Sequence, residues 1–328
     1  MREGAHALNS TTRTSIIQKL AATLWRRGDF MEKQNWKGWL YILPAAAFLG
    51  VFLVYPLIDV LIYSIEEGYN SASGEFFGTG IYNYLYVLND PFFLQAMKNT
   101  FILVLITVPI STALALFISL GLSSIKKLRN AFQTVFFLPY VTNTLAVGLV
   151  FMLLFRNTNE ADLGLVSIGL KLLGMTPIDF INGEYWQKMF VLCFYTIWVV
   201  LPFKILILTS AIASVNPNYY DAARVDGTSS ARMFWKITIP LISPMLFYLI
   251  ITGFIGAFKA YSDAVALFGS NLNVAEMNTI VGYIYDMLYG EGGGYPSYAS
   301  AAAIILFIIV LTITCINLMV SKKHVHYS

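Results

Sequence analysis

A polar stretch from Asp221 to Pro240 separates two long apolar segments and carries residues at regular spacing. It reads Asp221-Ala-Ala, three residues, Gly227, nine residues, Ile237, one residue, then Ile239-Pro240. Asp221 near a helix start is favoured by the helix dipole and could pair with a basic group on another protein. The two alanines let a helix approach another surface closely, and Gly227 permits the left-handed conformation that ends a helix. The spacing predicts a short helix over residues 218–226.

Six apolar segments are long enough to cross a bilayer, which takes about 20 mostly apolar residues. The chain is 57% hydrophobic and 12% charged, and the segments lack the polar faces that helices of a soluble protein would show. Backbone groups in lipid must bond internally, so we expect helices. The segments are residues 39–65, 99–121, 131–155, 189–215, 237–268 and 298–320. Kinks are predicted at the prolines inside them, Pro44, Pro56, Pro109, Pro139, Pro202 and Pro244.

Charge alternates along the connections between these segments. Most of the 21 basic residues lie in the N-terminal arm, after the second segment, in the loop 216–236 and in the tail, while the other connections are mostly acidic. The positive-inside rule therefore places both termini and the loop in the cytoplasm. The predicted fold class is an all-α membrane protein with six transmembrane helices and both termini cytoplasmic. The net charge of +3 reflects this topology and indicates no nucleic-acid partner.

One transmembrane domain is predicted over residues 39–323. Residues 1–38 form a cytoplasmic arm, in which apolar residues 16, 17, 20 and 24 share a helical face typical of an interfacial helix; a solvated basic arm is the alternative. Residues 324–328 form a short tail. Cys193 and Cys315 lie in different segments and suggest no redox or metal framework, so we expect no metal site. No catalytic grouping of His, Glu or Ser with His lies within the segments.

The loop resembles the cytoplasmic signature of binding-protein-dependent ABC importer permeases, which reads Glu-Ala-Ala, three residues, Gly, nine residues, Ile-x-Leu-Pro. Asp221 replaces the family's Glu and keeps its negative charge, and Ile239 replaces the family's Leu with a similar shape. The resemblance covers residues 39 to 323 and is closest to the first membrane subunits of maltose, glycerol-phosphate and multiple-sugar importers. Further matches are Leu138-Pro139, Trp198 with Pro202, Phe258-x-x-Tyr261, Leu267-Phe268-Gly269 and Tyr298-Ala-Ser-Ala-Ala. The family's Thr-Gly-Gly-Gly-Pro after the fifth span is replaced by Phe268-Gly-Ser-Asn-Leu, which leaves the outer gate and the exact sugar open.

The resemblance implies the type I permease fold of ABC importers, in the bacterial cytoplasmic membrane, with the loop 216–236 acting as a coupling helix. The chain has no Gly-x-x-x-x-Gly-Lys-Ser/Thr loop for phosphates, so we expect it to be no enzyme and to bind no cofactor, with ATP and Mg²⁺ held by partner subunits. The implied partners are a second homologous permease, two ATPase subunits, an extracytoplasmic solute-binding protein, membrane lipid and a carbohydrate. The implied coupling residues are Asp221, Ala222, Ala223, Asp226, Gly227 and Pro240.

In the maltose importer the sugar site lies on the fourth and fifth core spans of one membrane subunit. Alignment through the loop places the matching positions at Thr196, Val199, Val200, Phe203, Gly253, Gly256, Ala257 and Ala260. The last four follow i, i+3, i+4, i+7 spacing and so share one helix face. Such a face of small residues fits either close helix packing or the wall of a wide cavity. Polar groups are scarce on it.

Three charged residues fall in or near the apolar segments, where charges are costly and mark functional candidates. Lys259 and Asp263 are four residues apart and could simply pair as neighbours on one helix. Lys204 could extend toward the cytoplasm. Tyr140 and Asn143, just after Pro139, are further candidates for the pathway.

The predicted function is a permease subunit of an ATP-driven importer for carbohydrates of oligosaccharide size. An importer permease for glycerol-phosphate, peptides or amino acids is the nearer alternative. An ion-coupled secondary transporter is the more distant one, and it would favour paired intramembrane acids and inverted repeats, neither of which the sequence shows.

Overall fold

The structure is a computed structural model that describes residues 35–71, 73–125, 134–135, 138, 140–159, 162–290 and 294–324. Over these residues it is mostly helical, with two short antiparallel hairpins. The predicted interfacial helix of the arm, the predicted kink at Pro139 and residues 325–328 of the tail lie outside the described residues.

The described residues divide into two compact units, with the boundary between residues 59 and 60. In the first, helix α1 (Asn35–Leu49) is followed by a π-helical turn (Gly50–Val54), and helix α2 (Tyr55–Ile65) then crosses the division. Tyr55 N–H donates to the Gly50 carbonyl, five residues back. This widened turn directly precedes Pro56, which has no amide hydrogen to donate.

The second unit contains the remaining helices and both hairpins. In chain order they are β1 (Glu66–Glu67), β2 (Gly78–Thr79), α3 (Tyr82–Asn89), α4 (Pro91–Ser124), α5 (Thr144–Phe155), β3 (Asn157–Asn159), β4 (Asp162–Leu163), α6 (Leu165–Leu172), α7 (Tyr185–Ser214), α8 (Pro217–Val225), α9 (Ser230–Met233), a π-helical turn (Phe234–Thr238), α10 (Ile239–Phe258), α11 (Ser262–Phe268), α12 (Ile280–Tyr289) and α13 (Pro296–His324). β1 pairs with β2 and β3 with β4, so the predicted all-α class holds apart from these hairpins.

Five helical segments of the described residues are long and apolar enough to cross a membrane. They are Gly38–Ile65, Pro91–Ser124, Tyr185–Ser214, Ser230–Phe258 and Pro296–Ser321, and each overlaps a predicted segment. The predicted third segment, residues 131–155, is represented by the 12 residues of α5, because part of it lies outside the described residues. Six spans therefore remain a prediction. Pro109, Pro202 and Pro244 lie inside their helices without ending them.

The prediction of one helix through residues 237–268 is wrong. α10 ends at Phe258, where Lys259 N–H donates to the Gly256 carbonyl and Ala260 N–H to the Ala257 carbonyl. Each of these bonds joins residues three apart, which makes the last turn of α10 tighter than an α-helical turn. The next helix, α11, begins at Ser262. The break coincides with residues 259–263, Lys-Ala-Tyr-Ser-Asp, where two charged residues interrupt an otherwise apolar segment.

α4 packs along α7 and also contacts α10. Two neutral hydrogen bonds join α4 to α7: Ser119 Oγ donates to the Ile205 carbonyl at 3.1 Å, and Tyr185 Oη donates to Asn99 Oδ1 at 2.9 Å. Since the early residues of α4 meet the early residues of α7, the two helices run parallel. They form the frame on which α5, α10 and α11 pack.

α11 lies against α5, and Gly148 makes the close approach possible, since a Cβ there would overlap Ala266. The loop that follows α11 is held to α4 by Asn99, whose Nδ2 donates to the carbonyls of Glu276 and Asn278 at 2.9 and 2.8 Å. These contacts hold α11 against α5 and place the loop after α11 beside the first turns of α4.

Candidate functional site

A cavity of about 400 Å³ opens between α4, α7, α10 and α11. The structure brings to it every predicted pathway residue except Asn143. Those that line it are Tyr140, Thr196, Val199, Val200, Phe203, Gly253, Gly256, Ala257, Lys259, Ala260 and Asp263. Residues far apart in the chain therefore meet in one place.

The small-residue face of α10 both packs and borders open space. A Cβ at Gly253 would lie 3.2 Å from Val108 Cγ1 and 3.4 Å from Lys204 Nζ, which is a tight fit. At Gly256 no heavy atom lies within 4 Å of that position. Ala257 lines the cavity and also packs against a cluster of buried residues. Close helix packing therefore applies at Gly253 and the wall of a cavity at Gly256, while Ala257 combines the two.

Asp263 does not pair with Lys259. Among the described residues no ion pair joins them, and Asp263 Oδ2 instead accepts from Thr196 Oγ1 on α7 at 3.0 Å. The predicted pairing assumed one continuous helix, whereas Lys259 lies after the end of α10 and Asp263 belongs to α11. Both still line the cavity, Lys259 with its side chain exposed.

Lys204 does not extend toward an aqueous surface, contrary to the prediction. It is 4% exposed, and its ammonium lies against α4. There Nζ donates to Ser111 Oγ at 2.7 Å, to Thr112 Oγ1 at 2.9 Å and to the Val108 carbonyl at 3.4 Å. It also lines the cavity.

Hydroxyl groups in the cavity wall were missed by the sequence analysis. They belong to Thr107, Ser111, Thr252, Tyr261 and Ser262. The polar groups that are scarce on the small-residue face of α10 are thus supplied by Thr252, at another position on α10, and by residues of other elements. Thr107 and Ser111 are one helical turn apart in an apolar segment, a spacing that could have marked a polar stripe on α4.

Tyr140 and Asn143 have different positions. The ring of Tyr140 stacks on Phe203 with centroids 5.6 Å apart, and both line the cavity. Asn143 caps α5, because its Oδ1 accepts from Leu145 N–H at 2.9 Å and from Ala146 N–H at 3.4 Å. Asn143 therefore has a local structural role and does not reach the cavity.

α8 begins one residue earlier than the helix predicted over residues 218–226. Asn216 caps its start by accepting from Asn218 N–H at 3.0 Å, and Pro217 occupies the first helical position. At its end Gly227 adopts φ +69°. Gly227 N–H donates to the Arg224 carbonyl and Thr228 N–H to the Ala223 carbonyl, which is the Schellman arrangement.

The outward face of α8 is apolar at its centre and acidic at its edges. Ala222 is exposed, and it lies between Tyr219, 55% exposed, and Val225, 89% exposed. Ala223 is buried on the opposite face. Asp221 and Asp226 are exposed, and Asp221 pairs with Arg224 of the same helix at 3.0 Å. An exposed pair of this kind contributes little to stability, so Asp221 remains accessible to another protein.

α8 is joined to the helical segment that carries the cavity wall. The hydroxyls of Tyr220 and Thr238 lie 3.0 Å apart and form a hydrogen bond. Thr238 is the last residue of the π-helical turn that precedes α10. Pro240 lies in the first turn of α10. α8 therefore has a side-chain connection to α10 in addition to the intervening chain.

Comparison with known proteins gives one consistent family. The model of the family "binding-protein-dependent transport system inner membrane component" matches residues 108–323. The arabinooligosaccharides transport system permease protein AraP of Bacillus subtilis is 30% identical, with 90% of this chain and 91% of AraP covered. The lactose transport system permease protein LacF of Rhizobium radiobacter is 29% identical, with 89% and 95% covered.

A more distant relative and a solved structure agree with these matches. The sn-glycerol-3-phosphate transport system permease protein UgpA of Yersinia pestis is 25% identical, with 89% of this chain and 96% of UgpA covered. A chain of a bacterial alginate ABC transporter has the same fold, with a TM-score of 0.74 at 23% identity over 89% of this chain and 96% of that chain.

Proposed function

The chain belongs to the family of binding-protein-dependent transport system inner membrane components, and on this premise we propose that it is the permease subunit of an ATP-driven importer for carbohydrates. The observation that carries the proposal is the hydroxyl-lined cavity between apolar helical segments. Its volume of about 400 Å³ lies within the range of small-molecule sites, roughly 300–1,000 Å³. The names of AraP and LacF support a carbohydrate.

The cavity wall has the mixture of groups that a sugar requires. The stacked rings of Tyr140 and Phe203 can cover the apolar face of a sugar ring, and hydroxyls of Thr196, Thr252 and Ser262 can exchange hydrogen bonds with sugar hydroxyls. A bare ion would call for a small shell of oxygen ligands. The size and composition of this cavity therefore favour a carbohydrate over a bare ion as the transported species.

The proposal includes the topology and the partners. The apolar segments support six spans within residues 39–323. The distribution of basic residues supports both termini in the cytoplasm and α8 on the cytoplasmic side. A second homologous permease would complete the pathway, an extracytoplasmic binding protein would deliver the solute, and two ATPase subunits would hold ATP and Mg²⁺. The membrane is the bacterial cytoplasmic membrane, and membrane lipid surrounds the spans.

α8 is proposed as the coupling helix. The exposed row formed by Tyr219, Ala222 and Val225 would enter a groove of the ATPase, with Asp221 and Asp226 at its edges. Gly227 sets the exit of the chain from α8, and the hydrogen bond of Tyr220 to Thr238 would pass motion to α10. α10 in turn carries Gly253, Gly256 and Ala257 of the cavity wall.

Reconstitution tests the proposed function. Liposomes that contain this chain, the second permease and the ATPase subunits should accumulate an oligosaccharide when binding protein is outside and ATP inside, while this chain alone should hydrolyse no ATP. Uptake is measured with labelled oligosaccharides, amino acids and peptides. Uptake driven by an ion gradient without ATP would favour a secondary transporter, and uptake of amino acids or peptides alone would refute the carbohydrate assignment.

Gly227→Val should uncouple ATP hydrolysis from uptake, whereas Gly227→Asn should retain most coupling. No heavy atom lies within 4 Å of a Cβ at this position, so backbone strain at φ +69° is the main effect, and Asn tolerates this conformation far better than a β-branched residue. The measurement is the stimulation of ATPase activity by loaded binding protein in purified complexes. Equal stimulation in both variants and the wild type would contradict the role of this helix end.

Tyr220→Phe should lower uptake per ATP hydrolysed without loss of the complex. It removes only the hydroxyl that meets Thr238, a bond worth about 1 kcal/mol in stability. Thr238→Val removes the other hydroxyl at nearly the same shape. If the bond transmits motion, the double variant should be no worse than either single variant in the uptake-to-hydrolysis ratio. Additive losses would indicate two independent effects.

Gly256→Leu should block uptake while the complex still assembles and hydrolyses ATP, because the new side chain enters open space. Gly253→Leu is the matched comparison: it would crowd Val108 and Lys204, and overpacking costs about 1–3 kcal/mol. Gly253→Leu should therefore lower the yield of complex. Uptake and yield are measured on the same samples. Normal uptake by Gly256→Leu would show that the solute passes elsewhere.

A further inference from the structure

Lys204 is a buried charge in the wall of the cavity. Its ammonium makes hydrogen bonds to three neutral oxygens of α4. No carboxylate of the described residues lies within ion-pair distance of it. Because an ammonium loses several kcal/mol of hydration on burial, neutral acceptors alone compensate it incompletely.

The other charges in the cavity do not supply the missing counter-ion. Asp263 is held by Thr196 on α7, eight residues before Lys204, which is roughly 12 Å along a helix. Lys259 adds a second positive charge near Asp263 in sequence. The cavity lining thus has two lysines and one carboxylate. The end of the cavity beside Lys204 is more positive than the end that holds Asp263 and Lys259.

Packing of α4 against α7 does not require a cation. The hydroxyls of Ser111 and Thr112 already donate within α4, to the carbonyls of Thr107 and Val108. Ser119 shows that a neutral hydroxyl can join the same two helices. A neutral side chain at position 204 would therefore leave no hydroxyl of α4 without a bond.

We propose that the cavity receives a carbohydrate with an anionic group, a carboxylate or a phosphate ester, and that Lys204 binds this group. The inference rests on the proposed import of carbohydrates and names the class of substrate. The absence of a side chain at Gly253 leaves the ammonium accessible from the cavity, since a Cβ there would lie 3.4 Å from Nζ. An anionic oxygen of the substrate would replace a neutral acceptor and supply the opposite charge that the ammonium lacks, in a hydrogen bond whose donor and acceptor are both ionised.

The test uses the complete importer in liposomes with its binding protein and ATP. The probe is a defined mixture of neutral, uronic-acid-bearing and phosphorylated oligosaccharides of two to six units, with the accumulated species identified by mass spectrometry. The wild type should accumulate the uronic-acid-bearing or the phosphorylated species, and which of them it is identifies the anion. Lys204→Met should lower accumulation of that species at least tenfold at limiting concentration, and Lys204→Arg should retain most of it.

The matched control is Lys188→Met, on the same helix. Lys188 is also largely buried but pairs with Glu276 at 3.6 Å, away from the cavity. The variant Lys188→Met should leave the composition of the accumulated sugars unchanged. A purely structural role of Lys204 would instead appear as loss of complex or of basal ATPase activity in Lys204→Met.

Three results would overturn the inference. The first is accumulation of neutral sugars only by the wild type. The second is undiminished accumulation of charged sugars by Lys204→Met. The third is a lower yield of complex in that variant, with an unchanged composition of the sugars that the remaining complex accumulates. If the wild type accumulates no carbohydrate but imports another solute, the proposed function itself fails. That outcome differs from carbohydrate import without preference for an anion, which refutes the anionic substrate and the role of Lys204 but leaves the proposed function intact.

Discussion

The parallel pair α4 and α7 depends on polar groups that meet partners within the protein, because hydrocarbon offers none. Ser119 with the Ile205 carbonyl and Tyr185 with Asn99 are such pairs. Thr209 Oγ1 is the one buried side-chain polar atom without a partner in the part of the chain that the structure describes. The other elements take their positions from this frame: α5, α10 and α11 pack on it, and the cavity is the space they leave.

The sequence predicts best where the signals for an element are local. The helix predicted over residues 218–226 agrees with α8 to within one residue, because Gly227 marks its end in the same short stretch. Asn216 and Pro217 are equally local signals for its first residue, and the prediction does not use them. Apolar length likewise predicts the five long helical segments. Helical spacing alone puts Gly253, Gly256 and Ala257 on one face, but it leaves open whether that face packs or lines a cavity, which the neighbouring helices decide.

The remaining features depend on contacts between distant residues. The partners of Lys204 on α4 are more than 90 residues away in the chain, so no local pattern could show whether its ammonium turns to an aqueous surface or to a neighbouring helix. The end of α10 is similar: no Gly or Pro marks residues 259–261, and Asp263 finds Thr196 of another helix. A helix-period argument paired Asp263 with the wrong residue because it assumed an unbroken helix.

In the proposed function, most of the groups that bind the solute lie on other elements than the groups that move. Lys204, Ser111 and Thr196 can make hydrogen bonds to a solute, and all three stand on the α4–α7 frame. Gly253, Gly256 and Ala257 offer no side-chain hydrogen bond, and they stand on α10, which the Tyr220–Thr238 bond joins to α8. Thr252 is the one hydroxyl residue of α10 in the cavity wall, so α10 can slide past a bound sugar with the loss of at most the hydrogen bonds of that one side chain. Motion that begins at α8 would therefore open or close the cavity while the frame keeps hold of the solute.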